Sequence, residues 1–227
     1  MRVLAISTPS KKASVSIVDF EKDNLYPKSI IGQFSSSFAK SEDISKMLNH
    51  IFEISKTDIS QIELISVVKG PGSYSGLRGG LAAAKSFAQF LKKPIIAVSA
   101  LESMAYSMVF VEGVIAVILD AVKEEYNFAL FKSSGMKLER LTDDMVIKEN
   151  HLKKIICEFK MPIYVVASFD NVKEILGKDD IFYLKSFCDS ENVARVGYNK
   201  FLEGENDDPI KLVPEYSHQP NIREYKR

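Results

Sequence analysis

Cysteine, an excess of one charge sign and long apolar runs are all scarce in this 227-residue sequence. Cysteine occurs only as Cys157 and Cys188, far from each other and from the three histidines. No metal-ligand spacing can be drawn from them, and a disulfide scaffold is excluded. Both thiols are read as small buried hydrophobes. The 30 basic residues are balanced by 30 acidic ones. A chain that grips a nucleic-acid backbone unaided normally carries a basic excess or a basic face, so that class is disfavoured. The longest apolar stretch, around Val109 to Leu119, is interrupted by Glu112 and Gly113, and it falls short of the roughly 20 residues that a spanning helix needs. The opening Met1-Arg2-Val3-Leu4-Ala5-Ile6-Ser7 is too short a run for a signal peptide. A cytoplasmic protein without membrane contact is expected.

What is present is an ordinary globular composition, 46% hydrophobic and 26% charged, long enough for one large domain or two small ones. Val3 to Ile6, a polar turn at Thr8-Pro9-Ser10-Lys11-Lys12, and the alternation of Ala13, Val15 and Ile17 predict a hairpin. A third strand is expected over Lys28 to Phe34. Ser41-Glu42-Asp43 is a helix entrance, and Ile44, Met47, Leu48, Ile51 and Phe52 follow at spacings of three and four, the stripe of an amphipathic helix. Leu64 to Val68 reads as a buried strand, Tyr74 to Leu91 as a helix, and Ile95 to Val98 as a strand. Ser99 and Glu102 have capping-box spacing, opening a helix expected to reach about Phe110. Strands are predicted again over Val114 to Leu119, Glu125 to Phe131 and Leu138 to Val146, with a turn at Lys132-Ser133-Ser134-Gly135. A helix around Leu152 to Phe159, a strand over Ile163 to Ala167 and a helix over Val193 to Leu202 complete the pattern. The two sets of strands and helices divide the chain into α/β lobes, residues 1–112 and 113–227.

One stretch is distinctive: Gly70-Pro71-Gly72-Ser73-Tyr74-Ser75-Gly76-Leu77-Arg78-Gly79-Gly80-Leu81-Ala82-Ala83-Ala84-Lys85. It is not a P-loop, because no lysine follows the spacer at Ser75. It is not the dinucleotide fingerprint, whose third glycine would fall at Ser75, nor a nucleophile elbow, because Tyr74 sits midway between Gly72 and Gly76. A glycine-rich entry to a helix remains, with free backbone N–H groups able to receive an anion or a carboxylate. Within that helix Gly76, Gly80, Ala84 and Ala88 recur every four residues as a ridge of small side chains. Glycines inside a helix cost about 1 kcal/mol each relative to alanine. Close approach of another element offsets that cost, and two approaches stay open: the chain's own sheet, or a helix of another molecule flanked by Leu77, Arg78 and Leu81.

The segment Gly70 to Arg78, preceded by Ile65-Ser66-Val67-Val68 and followed by Leu81 to Lys85, resembles the Gly-Pro-Gly-Ser-Phe-Thr-Gly-Leu/Val-Arg signature of the TsaB (YeaZ) family. Val98-Ser99-Ala100-Leu101-Glu102 is similar to that family's Val-Ser-Ser-Leu-Glu. Leu119-Asp120-Ala121, Tyr126 and the opening Leu4-Ala5-Ile6 match in the same order. The resemblance implies a two-lobed fold of the actin, sugar-kinase and heat-shock ATPase class. It implies a non-catalytic subunit that binds and activates the paralogous TsaD in making threonylcarbamoyladenosine beside the anticodon of tRNA. Further implications are that ATP and metal sit on TsaD and none on this chain, that the ATPase TsaE docks on the pair, that tRNA is met only through the complex, and that the isolated chain forms a homodimer. Gly70, Pro71, Gly72 and Ser73 form the signature loop. The partner surface is expected at Met47, Ile51, Gly76, Leu77, Arg78, Gly80, Leu81, Ala84 and Ala88.

The sequence departs from the family at three places. Ile6-Ser7-Thr8-Pro9 stands where Ile-Asp-Thr-Ser is usual, which removes the carboxylate that ATP-binding relatives use near phosphate and magnesium. Asp120-Ala121-Val122 replaces Asp-Ala-Arg, and Phe34 to Ser41 has no His-Ser-Glu. His50, His151 and His218 are not paired at metal-binding spacing, and Asp120 reads as a strand-terminating residue. The competing reading is a stand-alone small-molecule kinase or acyltransferase of the same fold, with nucleotide between the lobes.

Overall fold

The computed structural model describes residues 1–22, 24, 26–37, 43–122, 124–135, 137–159, 163–177 and 181–218. Its first sheet contains β1 (Arg2–Ser7), β2 (Ala13–Phe20), β3 (Pro27–Ser36), β4 (Leu64–Gly70) and β5 (Ile95–Ser99), in the order β3-β2-β1-β4-β5. β1 and β2 form the expected hairpin, with Ile6 opposite Val15. β4 and β5 run parallel to β1 and to each other, so the chain must cross over between them. It does so through α1 (Ile44–Ser55) and α2 (Tyr74–Leu91). A second sheet repeats the scheme with β6 (Glu112–Asp120), β7 (Glu125–Ser134), β8 (Leu138–Arg140), β9 (Met145–Lys148), β10 (Ile163–Ala167) and β11 (Phe182–Lys185). Its order is β11-β10-β6-β7-β8, with β9 also on β7. α4 (Glu149–Glu158) and α5 (Val172–Leu176) make its crossovers.

The period of two along the central strands explains the layering. Val3 and Ala5 of β1 enter one core cluster, whereas Leu4 and Ile6 enter another. Ile115 and Val117 of β6 belong to the first cluster, with Ala116 and Ile118 in a third. Both faces of both sheets are therefore covered, and these strands read as unbroken apolar runs. α1 and α2 cover the outer face of the first sheet, and α4 and α5 that of the second. Between the sheets lie α3 (Ala100–Ala105) and α6 (Ser190–Leu202). Their placement crosses the lobes: α3 closes the first set of elements yet packs on β6 and β7, whereas α6 closes the second and packs on β1, β2 and β4. Gly197 permits the latter contact, because a Cβ there would lie 2.1 Å from Ser66 Oγ. Between α6 and Tyr216 the chain returns to the first lobe. The Asp207 N–H donates to the Ile95 carbonyl at 3.0 Å, and the Asp207 carboxylate accepts from the Ala97 N–H at 2.7 Å. The edge of β5 is thereby covered.

Several local expectations need correction. α3 stops at Ala105 and continues as a 3₁₀ turn over Tyr106–Met108, short of Phe110. The Ser107 hydroxyl donates to the Met104 carbonyl at 2.7 Å, a side-chain alternative to the helical ladder. The Ser99 hydroxyl does accept from the Glu102 N–H at 3.3 Å, but the Glu102 carboxylate turns to Arg140 at 3.4 Å and Lys200 at 3.6 Å. The box is thus half formed. The strand expected over Leu138 to Val146 splits into β8 and β9 because the Leu130 N–H is taken by the Thr142 hydroxyl at 2.9 Å. α5 and β11 were not expected; five and four residues are too few to show a period. Of the Ser41-Glu42-Asp43 helix entrance, Ser41 and Glu42 lie outside the described residues, and Asp43 stands at the N-cap of α1. Cys188 is buried, but Cys157 is exposed on α4, contrary to the reading of both as core.

Candidate partner interface and interlobe cleft

The signature loop is a seam within the chain. Ser73 caps α2, accepting from the Gly76 N–H at 3.3 Å, while its own N–H donates to the Pro9 carbonyl at 2.6 Å. A Cβ at Gly72 would lie 2.4 Å from the Pro9 carbonyl oxygen, and one at Gly76 would lie 2.2 Å from that of Thr8. At Gly80 it would lie 2.1 Å from Thr8 Oγ1. Gly70 combines a φ of +146° with the backbone of Glu215, whose carbonyl oxygen would stand 2.0 Å from a Cβ. Glycine is required at these places because the β1–β2 turn and the C-terminal segment press against the loop. The Gly70–Pro71 peptide is cis, and Pro71 is buried.

The small-residue ridge faces inward. Gly80, Leu81, Ala84 and Ala88 are buried, as are Leu77 on the same helix and Met47 and Ile51 on α1. Gly76 is half-buried against Thr8. Of the two approaches left open by the sequence, the ridge makes the one to its own sheet, so these residues form no accessible partner surface. Arg78 alone of the predicted set is exposed. Its guanidinium lies 3.9 Å from the Tyr74 ring centroid, and its Nε donates to the Tyr216 hydroxyl at 3.0 Å.

The opposite arc of α2 is the free one. Ser75, Ala82, Ser86, Gln89 and Phe90 are exposed, with Gly79 and Ala83 half-buried between them. This second strip is almost as smooth as the first, and it ends on Phe90, 77% exposed. Beside it Phe52 of α1 stacks on Phe87 of α2 at 5.8 Å, and Ile54 is 49% exposed. The sequence reading missed this strip because Gly79, Ala82, Ala83 and Ser86 do not share one four-residue spacing, whereas the buried ridge does.

Between the lobes lies a cleft of about 1150 Å³. Ser10, Lys11 and Lys12 line the first wall, with Gly72, Ser73 and Tyr74. Asp120 to Val122, Asn127 and Ser168 line the second. Asp120, exposed at the end of β6, is the one carboxylate among the lining residues described. Ser7 is buried, and its hydroxyl donates to the Cys188 carbonyl at 2.5 Å, so it points into the protein rather than into the cleft. Among the described residues no group of three His, Cys, Asp or Glu side chains is arranged to hold a metal ion. None of the described helices is long and apolar enough to cross a membrane.

Sequence reasoning also missed the C-terminal segment. Its Leu212 carbonyl accepts from Lys85 Nζ at 3.0 Å. The Glu215 N–H donates to the Lys69 carbonyl at 2.7 Å, and its carboxylate pairs with Lys69 Nζ at 2.8 Å. Tyr216 packs on Tyr74 at 4.8 Å. Val213 is exposed beside half-buried Leu212 and Pro214, so the apolar run Leu212-Val213-Pro214 carries no alternation by which the segment could be read.

Two mixed sheets, each flanked by helices and separated by a cleft, define a two-lobed protein of the actin-like class. The model of the family described as TsaD, tRNA N6-adenosine threonylcarbamoyltransferase, matches residues 35–183, well over half of the chain. The chain belongs to this family, in its TsaB (YeaZ) branch. It is 26% identical over 226 residues to the Bacillus subtilis tRNA threonylcarbamoyladenosine biosynthesis protein TsaB, covering 95% of this chain and 93% of that protein. The Escherichia coli TsaB is 30% identical over 105 residues, 46% of this chain and 43% of that protein. A solved structure described as YeaZ from Pseudomonas aeruginosa superimposes with a TM-score of 0.77 at 15% identity, covering 95% of this chain and 99% of the other. A second, described as an uncharacterised protein with similarity to the peptidase YeaZ from the same organism, gives 0.80 at 15% identity, covering 96% and 99%. These two show the fold.

Proposed function

We propose that this chain serves tRNA threonylcarbamoyladenosine biosynthesis as a non-catalytic cytoplasmic subunit, binding and activating a TsaD-like paralogue through the outer faces of α1 and α2. The observation that carries the proposal is the free arc of α2: Gly79, Ala82, Ala83 and Ser86 permit close approach of a partner helix, and Phe90 and Ile54 supply apolar anchors beside it. Exposed aromatic anchors of this kind dominate interface energetics. The inward turn of Ser7, and Asp120 as the one carboxylate among the described cleft residues, support assigning ATP and metal to the partner. A TsaE-like ATPase docks on the pair, tRNA is engaged only by the complex, and a homodimer uses the same face when the partner is missing.

The test is calorimetric titration of the organism's TsaD with wild type, Ala82→Arg and Phe90→Asp. Both substitutions should weaken association by tenfold or more, on the order of 1.4 kcal/mol, and reduce tRNA modification when the chain is added back to TsaD. Unchanged affinity in folded variants would sink the reading. The large cleft with Lys11 and Lys12 on one wall favours a second reading, a small-molecule kinase or acyltransferase. Tight binding of magnesium ATP by the isolated chain would support that alternative.

A further inference from the structure

Four consecutive residues, Glu215 to His218, grip both lobes. On the first lobe, the Glu215 backbone is bonded to the end of β4 and its carboxylate to Lys69. Tyr216 is held on the first turn of α2 by the Tyr74 ring and by Arg78 Nε. The next two residues reach β7 of the second lobe. The Ser217 hydroxyl donates to Asn127 Oδ1, and His218 Nε2 lies 2.7 Å from Glu125 Oε2. Asn127 is 4% exposed, so its side chain is held in the wall that receives the segment. Tyr216, Ser217 and His218 line the same cleft as Lys11 and Val122.

We propose that residues 215–218 form a strap that sets the separation of the two lobes, so that releasing either end widens the cleft. Two features make this a device rather than a passive tail. The contacts are divided between lobes within four residues, so neither lobe can move independently while both ends hold. The grip on the second lobe is made of two polar side-chain contacts, one of them at exposed His218, and an exposed contact of that kind exchanges readily with water. The first-lobe end is secured by backbone and aromatic contacts, which makes the His218 end the one that opens first. The strap bridges the two walls of the cleft without any partner, so it stands apart from the docking proposed above, and the isolated full chain is sufficient to test it.

Spin labels at Lys11→Cys and Val122→Cys, in a Cys157→Ser background that leaves only the buried Cys188 unlabelled, would report the distance across the cleft. With the strap intact, a single narrow distribution is expected. The Ser217→Ala/His218→Ala double variant and the Tyr216→Ala variant should each shift the mean outward and roughly double the width, the signature of a released hinge. Distributions unchanged in both variants overturn the proposal, as does a change confined to one, because a strap must hold at both ends. Circular dichroism and the thermal midpoint establish that each variant is folded. The double variant alters only partly exposed polar groups and decides the question alone should Tyr216→Ala fail to fold.

Discussion

At the scale of single residues, close approach and burial carry the consequences. Gly80→Ala places a methyl group 2.1 Å from Thr8 Oγ1 and 3.3 Å from Thr8 Cβ. Thr8 is itself buried at the end of β1, with little room to withdraw. The usual helical gain from alanine is therefore overturned, and a loss of about 1–3 kcal/mol is expected from urea denaturation. Burial pushes the Cys188 thiol up to about 11, so it stays a neutral, unreactive thiol at neutral pH, whereas Cys157 is exposed. Iodoacetamide should add once to the native protein and twice only after denaturation, counted by mass spectrometry. Burial likewise pushes the Tyr106 phenol up to about 12 from an ordinary value of 10.0. An acid whose pKa is raised on folding binds more protons in the folded state above its ordinary pKa. Its stabilisation is therefore complete below pH 10 and is lost as the pH rises from there through about 12. Urea midpoints followed through that window should fall for the wild type and fall less steeply for Tyr106→Phe.

At the scale of elements, α2 shows how one helix serves two surfaces. Its inner arc of Leu77, Gly80, Leu81, Ala84 and Ala88 is sealed against the sheet, and its outer arc is free. The two arcs should respond oppositely to substitution. Leu81→Ala removes a side chain that is 3% exposed and should cost about 2–5 kcal/mol. Ala82→Arg on the outer arc should leave stability within about 0.5 kcal/mol. Chemical denaturation of the two variants side by side checks the contrast; similar losses in both would mean that the outer arc is packed rather than free. The helices and strands themselves were legible in the sequence wherever a period ran long enough. The stripe from Ile44 to Phe52, the hairpin at Thr8 to Lys12 and the apolar runs of β4, β5, β6 and β10 are examples. Short elements such as β11, and ends shaped by one side chain, as at Ser107 and Thr142, gave no period to read.

At the scale of the whole molecule, the closing segments tie the two lobes together. α6 and residues 207–216 return to the first sheet, and the polar cluster of Arg140 with Asp144, Glu102 and Lys200 links β8 to α3 and α6. Asp207 is a decisive point in the return, because its carboxylate accepts from the Ala97 N–H on the outer strand of the sheet. Asp207→Ala leaves that N–H without its partner and loosens the cover over β5. A stability loss of about 1–3 kcal/mol is expected, together with faster amide exchange at Ile95 and Ala97, measured by hydrogen exchange.

The sequence by itself determined the alternation of strands and helices, the division into two sets of elements, and the family, because a local period and a run of glycines are written in neighbouring residues. It also showed that a smooth ridge must meet something closely. Which partner the ridge meets was decided only in the tertiary structure, where Thr8 and Pro9 occupy the space beside Gly72, Gly76 and Gly80. The same holds for the strap at Glu215 to His218, whose anchors at Lys69, Tyr74, Glu125 and Asn127 lie about ninety residues or more away along the chain. Contacts of that separation leave no periodic trace, because they depend on where the whole fold brings two surfaces together.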